Sequence, residues 1–118
     1  MEISEEVQEK LALLKSTFLS EIIIYSEEGD FDFTEYLNFD HQIEQTIAAP
    51  DEIWNFDKEV QVYRKHFATT DMTYSQIVLS LKETKDNPLL IILNFVTKSE
   101  SLAQRFCRGE RELISTHH

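Results

Sequence analysis

The chain has 118 residues, a formal net charge of −11, 42% apolar residues and 28% charged residues. That is enough chain to bury a core as one domain without metal or disulfide support, and the composition excludes a disordered or fibrous protein. The lone Cys107 excludes an internal disulfide, no apolar run approaches the roughly 20 residues of a membrane span, and the acidic start MEISEEVQEK is unlike a signal peptide, so a cytoplasmic protein is expected.

Ser4, followed by Glu5 and Glu6, reads as a helix start: a hydroxyl to cap and carboxylates to suit the positive end of the dipole. Val7, Leu11, Leu14 and Phe18 then recur at helical spacing along one face. EIIIYS, residues 21–26, reads either as a strand, from its three isoleucines, or as a continuation of the helix, because Ile22 extends the stripe. EEGDFDF reads as an acidic loop. Thr34 or Asp40 then caps a second helix carrying Tyr36, Phe39, Ile43 and Ile47, which Pro50 ends, and PDEIW reads as a turn.

The period changes after this turn. VQVYRKHF, residues 60–67, alternates so that Val60, Val62, Arg64 and His66 share one face while Tyr63, Lys65 and Phe67 share the other. YSQIVLSLKE, residues 74–83, reads as a half-exposed strand with Ile77, Leu79 and Leu81 inward and Gln76, Ser80 and Lys82 outward. LLIILNFVT, residues 89–97, is almost wholly apolar and reads as the central, doubly covered strand. The connection ETKDNP predicts an antiparallel hairpin. Ser101 and Gln104 form a capping-box pattern opening a C-terminal helix over 101–116 that carries Leu102, Phe106 and Leu113. The expected fold is α+β: N-terminal helices packed on a three- to four-stranded antiparallel sheet, with a C-terminal helix. Within the single domain, residues 1–35 make the first helix and acidic loop, 36–100 the core and 101–116 the last helix.

Charge is unevenly spread. Asp and Glu outnumber Lys and Arg 16 to 3 in residues 1–59, whereas Lys and Arg outnumber Asp and Glu 8 to 6 in residues 60–118. A dipolar molecule of this kind is able to present a basic surface to phosphate despite its net charge. GxGxxG, GKS/T, HExxH and cysteine pairs are absent. Asp30 and Asp32 read as solvated surface, and neither a metal nor a cofactor is expected. With His117 and His118 set aside as terminal, His41 and His66 are the candidates for proton transfer.

YLNFDHQIEQTIAAPDEIW, then VYRKHF, then a middle strand, then LLIILNFVTKSES, resembles the phage-associated branch of the barnase/EndoU/colicin/RelE class of small RNA-cleaving domains, over about half the chain. The resemblance implies a helix on a four-stranded antiparallel sheet and metal-independent RNA cleavage. It places His41 on the helix histidine, Arg64 on the strand cation and Thr97 on the hydroxyl ending the last strand. Lys65, His66, Lys98 and Arg105 follow as substrate-binding residues. In such cleavage a base takes the 2′-hydroxyl proton, the oxyanion attacks phosphorus, and an acid protonates the departing 5′-oxygen. Imidazole suits either proton role, and guanidinium suits the phosphate.

Plainer readings stand beside these. His41 reads equally as a surface residue paired with Asp40, Arg64 and Lys65 as charges protecting a strand edge, and Thr97 as a β-branched residue ending a strand. Arg105, Arg108 and Arg111, at three-residue intervals, read as a solvated helix face, and Trp54 as a lid on the core. The acidic N-terminal half also supports a second function: a non-catalytic inhibitor or nucleic-acid mimic that binds a basic protein partner through Glu27, Glu28, Asp30, Asp32 and Glu35. RNA is the partner in the first case and a basic protein in the second; the sequence leaves the oligomeric state open.

Overall fold

In a computed structural model, described over residues 4–28, 43–68, 70, 73–85 and 87–114, Ser4 Oγ accepts the Val7 N–H at 3.2 Å and opens helix α1, Glu5–Glu28. The expected stripe is the buried one: Phe18 and Ile22 sit in the core with Val7, Leu11 and Leu14 packed against it. EIIIYS is therefore helix. Ile22 continues the four-residue spacing into full burial, which outweighs the strand preference of three isoleucines, while Ile23 and Ile24 face outward. Glu27 and Glu28 belong to this helix and not to a loop.

Helix α2, Ile43–Ala48, stops before Pro50 as the sequence requires. The rest of the expected second helix, with Thr34, Tyr36, Phe39 and Asp40, lies outside the described residues. PDEIW is not a simple turn: Glu52–Asn55 forms strand β1, followed by β2, Val60–Ala68, β3, Thr73–Leu81, and β4, Leu90–Thr97. Helix α3, Glu100–Phe106, and a fifth strand, β5, Glu110–Ile114, complete the chain's described order. The sheet is antiparallel throughout, with order β4-β3-β2-β1-β5. The α+β class and the β3–β4 hairpin are as expected, and the sheet is one to two strands wider.

The C-terminal segment departs most from expectation. Ser99, not Ser101, caps α3 by accepting the Leu102 N–H at 3.2 Å, and the helix ends at Phe106. Gly109 then takes a positive φ of 97°, and a Cβ there would overlap the Asn55 carbonyl oxygen. Only glycine allows both this backbone turn and this approach, so Leu113 lies in β5, paired across from Ile53. LLIILNFVT is a sheet edge among the described residues, and the strand buried along nearly its whole length is β3. The reason is coverage. The core formed with α1 and α3 lies on the Val60, Val62, Ile77 and Leu79 face; α2 packs on β2 and β3, and Gln76, Val78 and Ser80 on the other face are buried as well.

The core is held by edge-to-face rings, with Phe18–Phe106 centroids 5.8 Å apart and Phe95–Phe106 5.4 Å apart. No helix among the described residues is long and apolar enough to cross a membrane.

Candidate functional site

Period-two alternation in β2 puts Arg64 and His66 on the core-side face, beyond the apolar pair Val60 and Val62. Where the apolar core ends, the face turns polar. Arg64 is almost fully buried at this boundary, with three groups around its guanidinium. Nε donates to Ser75 Oγ at 3.0 Å, and Nη1 and Nη2 donate to Glu100 Oε2 and Oε1 at 3.0 and 2.5 Å. Glu52 Oε2 lies 3.8 Å from Nη1. The register explains two of these partners: Glu52 on β1 stands directly across from Arg64, and Ser75 on β3 directly across from His66. The third arrives from the first turn of α3, which Ser99 caps.

Burial is the largest single effect on Arg64 and opposes its charge, but the Glu100 hydrogen bonds together with the attraction of Cys107, Glu52 and Glu100 outweigh it and hold the guanidinium more firmly protonated than usual. The same bonds hold the Glu100 carboxyl below its ordinary range against a smaller desolvation effect. His66 is half exposed. Its Nε2 lies 3.4 Å from Glu52 Oε2 and its Nδ1 3.3 Å from Ser75 Oγ. Because Ser75 Oγ accepts from Arg64, its own proton is available to Nδ1, which leaves Nε2 carrying hydrogen toward Glu52. Glu52 is in turn fixed through Oε1 by the Trp54 indole N–H at 2.8 Å. Cys107 lies behind the arginine, and burial pushes its thiol up to about 12, with Arg64 opposing.

A cavity of about 390 Å³ opens over this cluster, lined by Arg64, His66, Ser75, Thr97, Lys98 and Glu100 together with the end of the β2–β3 hairpin. Of the residues named from sequence, Arg64, His66, Thr97 and Lys98 meet here. Thr97 Oγ1 accepts the Ser99 N–H at 2.9 Å, so it braces the turn into α3 while keeping its hydroxyl proton.

Lys65 is on the opposite face, donating to the Ala49 carbonyl at 2.8 Å. Arg105 is exposed on α3, away from the cavity lining. Arg105, Arg108 and Arg111 do not share a helix face, because the helix stops at Phe106. Arg108 lies over the Phe56 ring at 4.6 Å and Arg111 over the Trp54 ring at 5.7 Å. Trp54 is half buried against the core, as a lid would be. His41, Asp30, Asp32 and Glu35 lie outside the described residues.

Sequence reasoning missed Glu52, Ser75 and Glu100. Ser75 was within reach, since the hairpin register sets it across from His66. Glu52 becomes visible only once EIWN is read as a strand, and nothing local marks Glu100. Compared with known proteins, the chain matches no family model, no curated protein and no solved structure.

Proposed function

We propose that the cavity over Arg64 is a metal-independent RNA-cleaving site. What supports this is one observation: a buried guanidinium, an imidazole, an accessible carboxylate and the Lys98 ammonium border the same 390 Å³ hollow. In this reading the Glu100 carboxylate, whose side chain is 61% exposed, turns off the arginine fork and removes the 2′-hydroxyl proton. The 2′-oxygen attacks phosphorus and the P–O5′ bond breaks, giving a 2′,3′-cyclic phosphate. His66, oriented by Glu52 and Ser75, acts as the acid that gives a proton to the departing 5′-oxygen. Arg64 and Lys98 bind the phosphate oxygens, and the Thr97 hydroxyl donates a further hydrogen bond.

The test is cleavage of a fluorophore-labelled oligoribonucleotide in EDTA. His66→Ala is expected to lower the rate at least ~100-fold with an unchanged circular dichroism spectrum. Retention of activity in this variant overturns the assignment. His41→Ala in the same assay tests the helix histidine expected from the sequence.

One feature favours a second reading. The arginine fork is filled by Glu100 and flanked by Glu52, which is the arrangement of a cluster whose groups are idle. On that reading the protein is an acidic binder of a basic partner. Wild-type protein without RNase activity, whose association with such a partner weakens on charge reversal of Glu27 and Glu28, supports the binder.

A further inference from the structure

A second cavity, of about 200 Å³, lies at the far end of the same sheet face, where the N-terminal turns of α1 meet the β1–β2 turn and the β3–β4 hairpin. Its apolar wall is Val7, Leu81 and Leu90, and its charged lining is Lys10, Lys58 and Lys82 with one carboxylate, Glu59. Three of the chain's seven lysines thus converge from three separate elements, in a molecule of net charge −11. Lys10 is paired with Glu59. Lys58 and Lys82, which also line the cavity, make no ion pair among the described residues.

The backbone fixes this lining. Asp57 Oδ1 accepts the Glu59 and Val60 N–H groups at 2.7 and 2.8 Å, which sets the turn bearing Lys58. The Lys82 N–H donates to the Glu59 carbonyl at 2.9 Å, holding the end of β3 against that turn. Thr84 Oγ1 accepts the Asn87 N–H at 3.0 Å and closes the hairpin beside it. The ammoniums are therefore mounted on hydrogen-bonded turns.

An apolar wall beneath unpaired cations calls for a ligand with both characters. An inorganic anion would leave the leucines wet, and a neutral hydrocarbon would leave the ammoniums without a partner in a partly apolar mouth. The volume equals about seven water-sized units, which a short acyl chain fills. We propose that this cavity binds a short-chain fatty carboxylate, its head group between Lys58 and Lys82 and its tail on Val7, Leu81 and Leu90. The site is independent of the cavity over Arg64 and shares no lining residue with it.

The experiment is a titration of ¹⁵N-labelled full-length protein with octanoate, followed by amide shifts, with octanol and octylamine in parallel. Octanoate is expected to bind saturably with a submillimolar Kd, shifting residues 7, 10, 58, 81, 82, 84, 87 and 90. Lys58→Gln/Lys82→Gln, two surface changes that leave the core intact, is expected to weaken binding roughly tenfold. Binding is also expected to weaken with added salt. Equal binding of octanol, unchanged affinity in the double variant, or no localised shifts at millimolar octanoate would each overturn the proposal.

Discussion

Glu100→Gln isolates the ion pair at the centre of the candidate site. The change keeps the side chain's shape and removes its charge, so Arg64 is left buried with Ser75 at 3.0 Å and Glu52 at 3.8 Å. Breaking a fully buried pair costs about 3–5 kcal/mol and breaking an exposed one about 0–1 kcal/mol. Here the arginine side chain is 6% exposed and the glutamate 61%, so solvent screens one end and the expected loss is about 1–1.5 kcal/mol. For a chain of this size that lowers Tm by about 3–6 °C. The pH dependence has a definite sign. The carboxyl of Glu100 is held below its unfolded value, so its contribution is fully present above that value and disappears as pH falls through the lowered one. The gap between wild type and Glu100→Gln should begin to narrow as pH falls below the ordinary glutamate value of about 4.3 and close only below the lowered value. Urea denaturation of wild type, Glu100→Gln, Arg64→Met and the double variant at pH 7 measures the pair directly, with an expected coupling of about 1 kcal/mol. A coupling under about 0.3 kcal/mol, or a gap that persists in acid, would refute the reasoning.

Gly109→Ala should cost about 2–4 kcal/mol in the same denaturation assay, because it combines a positive φ with overlap on the Asn55 carbonyl; a loss under 1 kcal/mol would mean that the β1–β5 contact yields easily. Ser99→Ala should cost about 1 kcal/mol through the lost Leu102 N–H cap, whereas Ser101→Ala, on the exposed side of α3, should stay within about 0.5 kcal/mol. Cys107, buried with its thiol pushed up to about 12, should resist a thiol-specific disulfide reagent at pH 8 until the protein is denatured; stoichiometric labelling of the folded protein within seconds would contradict that placement. Glu100→Gln should bind a 2′-deoxy oligonucleotide, which has no 2′-hydroxyl to react, about fivefold more tightly than wild type, as read by fluorescence anisotropy; equal affinity would show that Glu100 does not occupy the anion's place.

The parts of the fold readable in the sequence are those where one period governs many residues. The three- and four-residue spacing from Val7 to Ile22 survives as the buried stripe of α1, and the alternation in VQVYRKHF survives as the two faces of β2. The misread parts are those where a distant partner decides. EIWN is too short to show a period and becomes a strand only because β2 and β5 flank it. LLIILNFVT has the composition of a central strand yet lies at an edge among the described residues, since helices α1 and α3 cover it from one face. Gly109 was the available signal against a long last helix: a glycine at the ninth position of the expected helix marks the point where the backbone leaves it. In the site, alternation was enough to put Arg64 and His66 side by side. It had no means of announcing a carboxylate 36 residues further along the chain.

That carboxylate decides how the hollow meets an anion. Arg64 and Lys98 bring two positive charges to the lining and Glu100 one negative, and Glu52, which lies beside Arg64 outside the lining, offsets the remaining charge, so the cluster as a whole is close to neutral and does not attract phosphate by its net field. On the proposed function, entry therefore requires exchange: a phosphate takes the arginine fork as Glu100 leaves it. The exchange is feasible because the two carboxylates differ in exposure. Glu52 is held by the Trp54 indole and lies beside His66, whereas Glu100 reaches water by turning about its own side-chain bonds. Arg64 then keeps a bidentate anionic partner throughout and is never left buried and unpaired, so the cost is that of parting a half-exposed pair, about 1 kcal/mol. In the proposed reaction the same movement frees Glu100 to accept a proton only when a phosphate has displaced it, which would tie the base's availability to substrate occupancy.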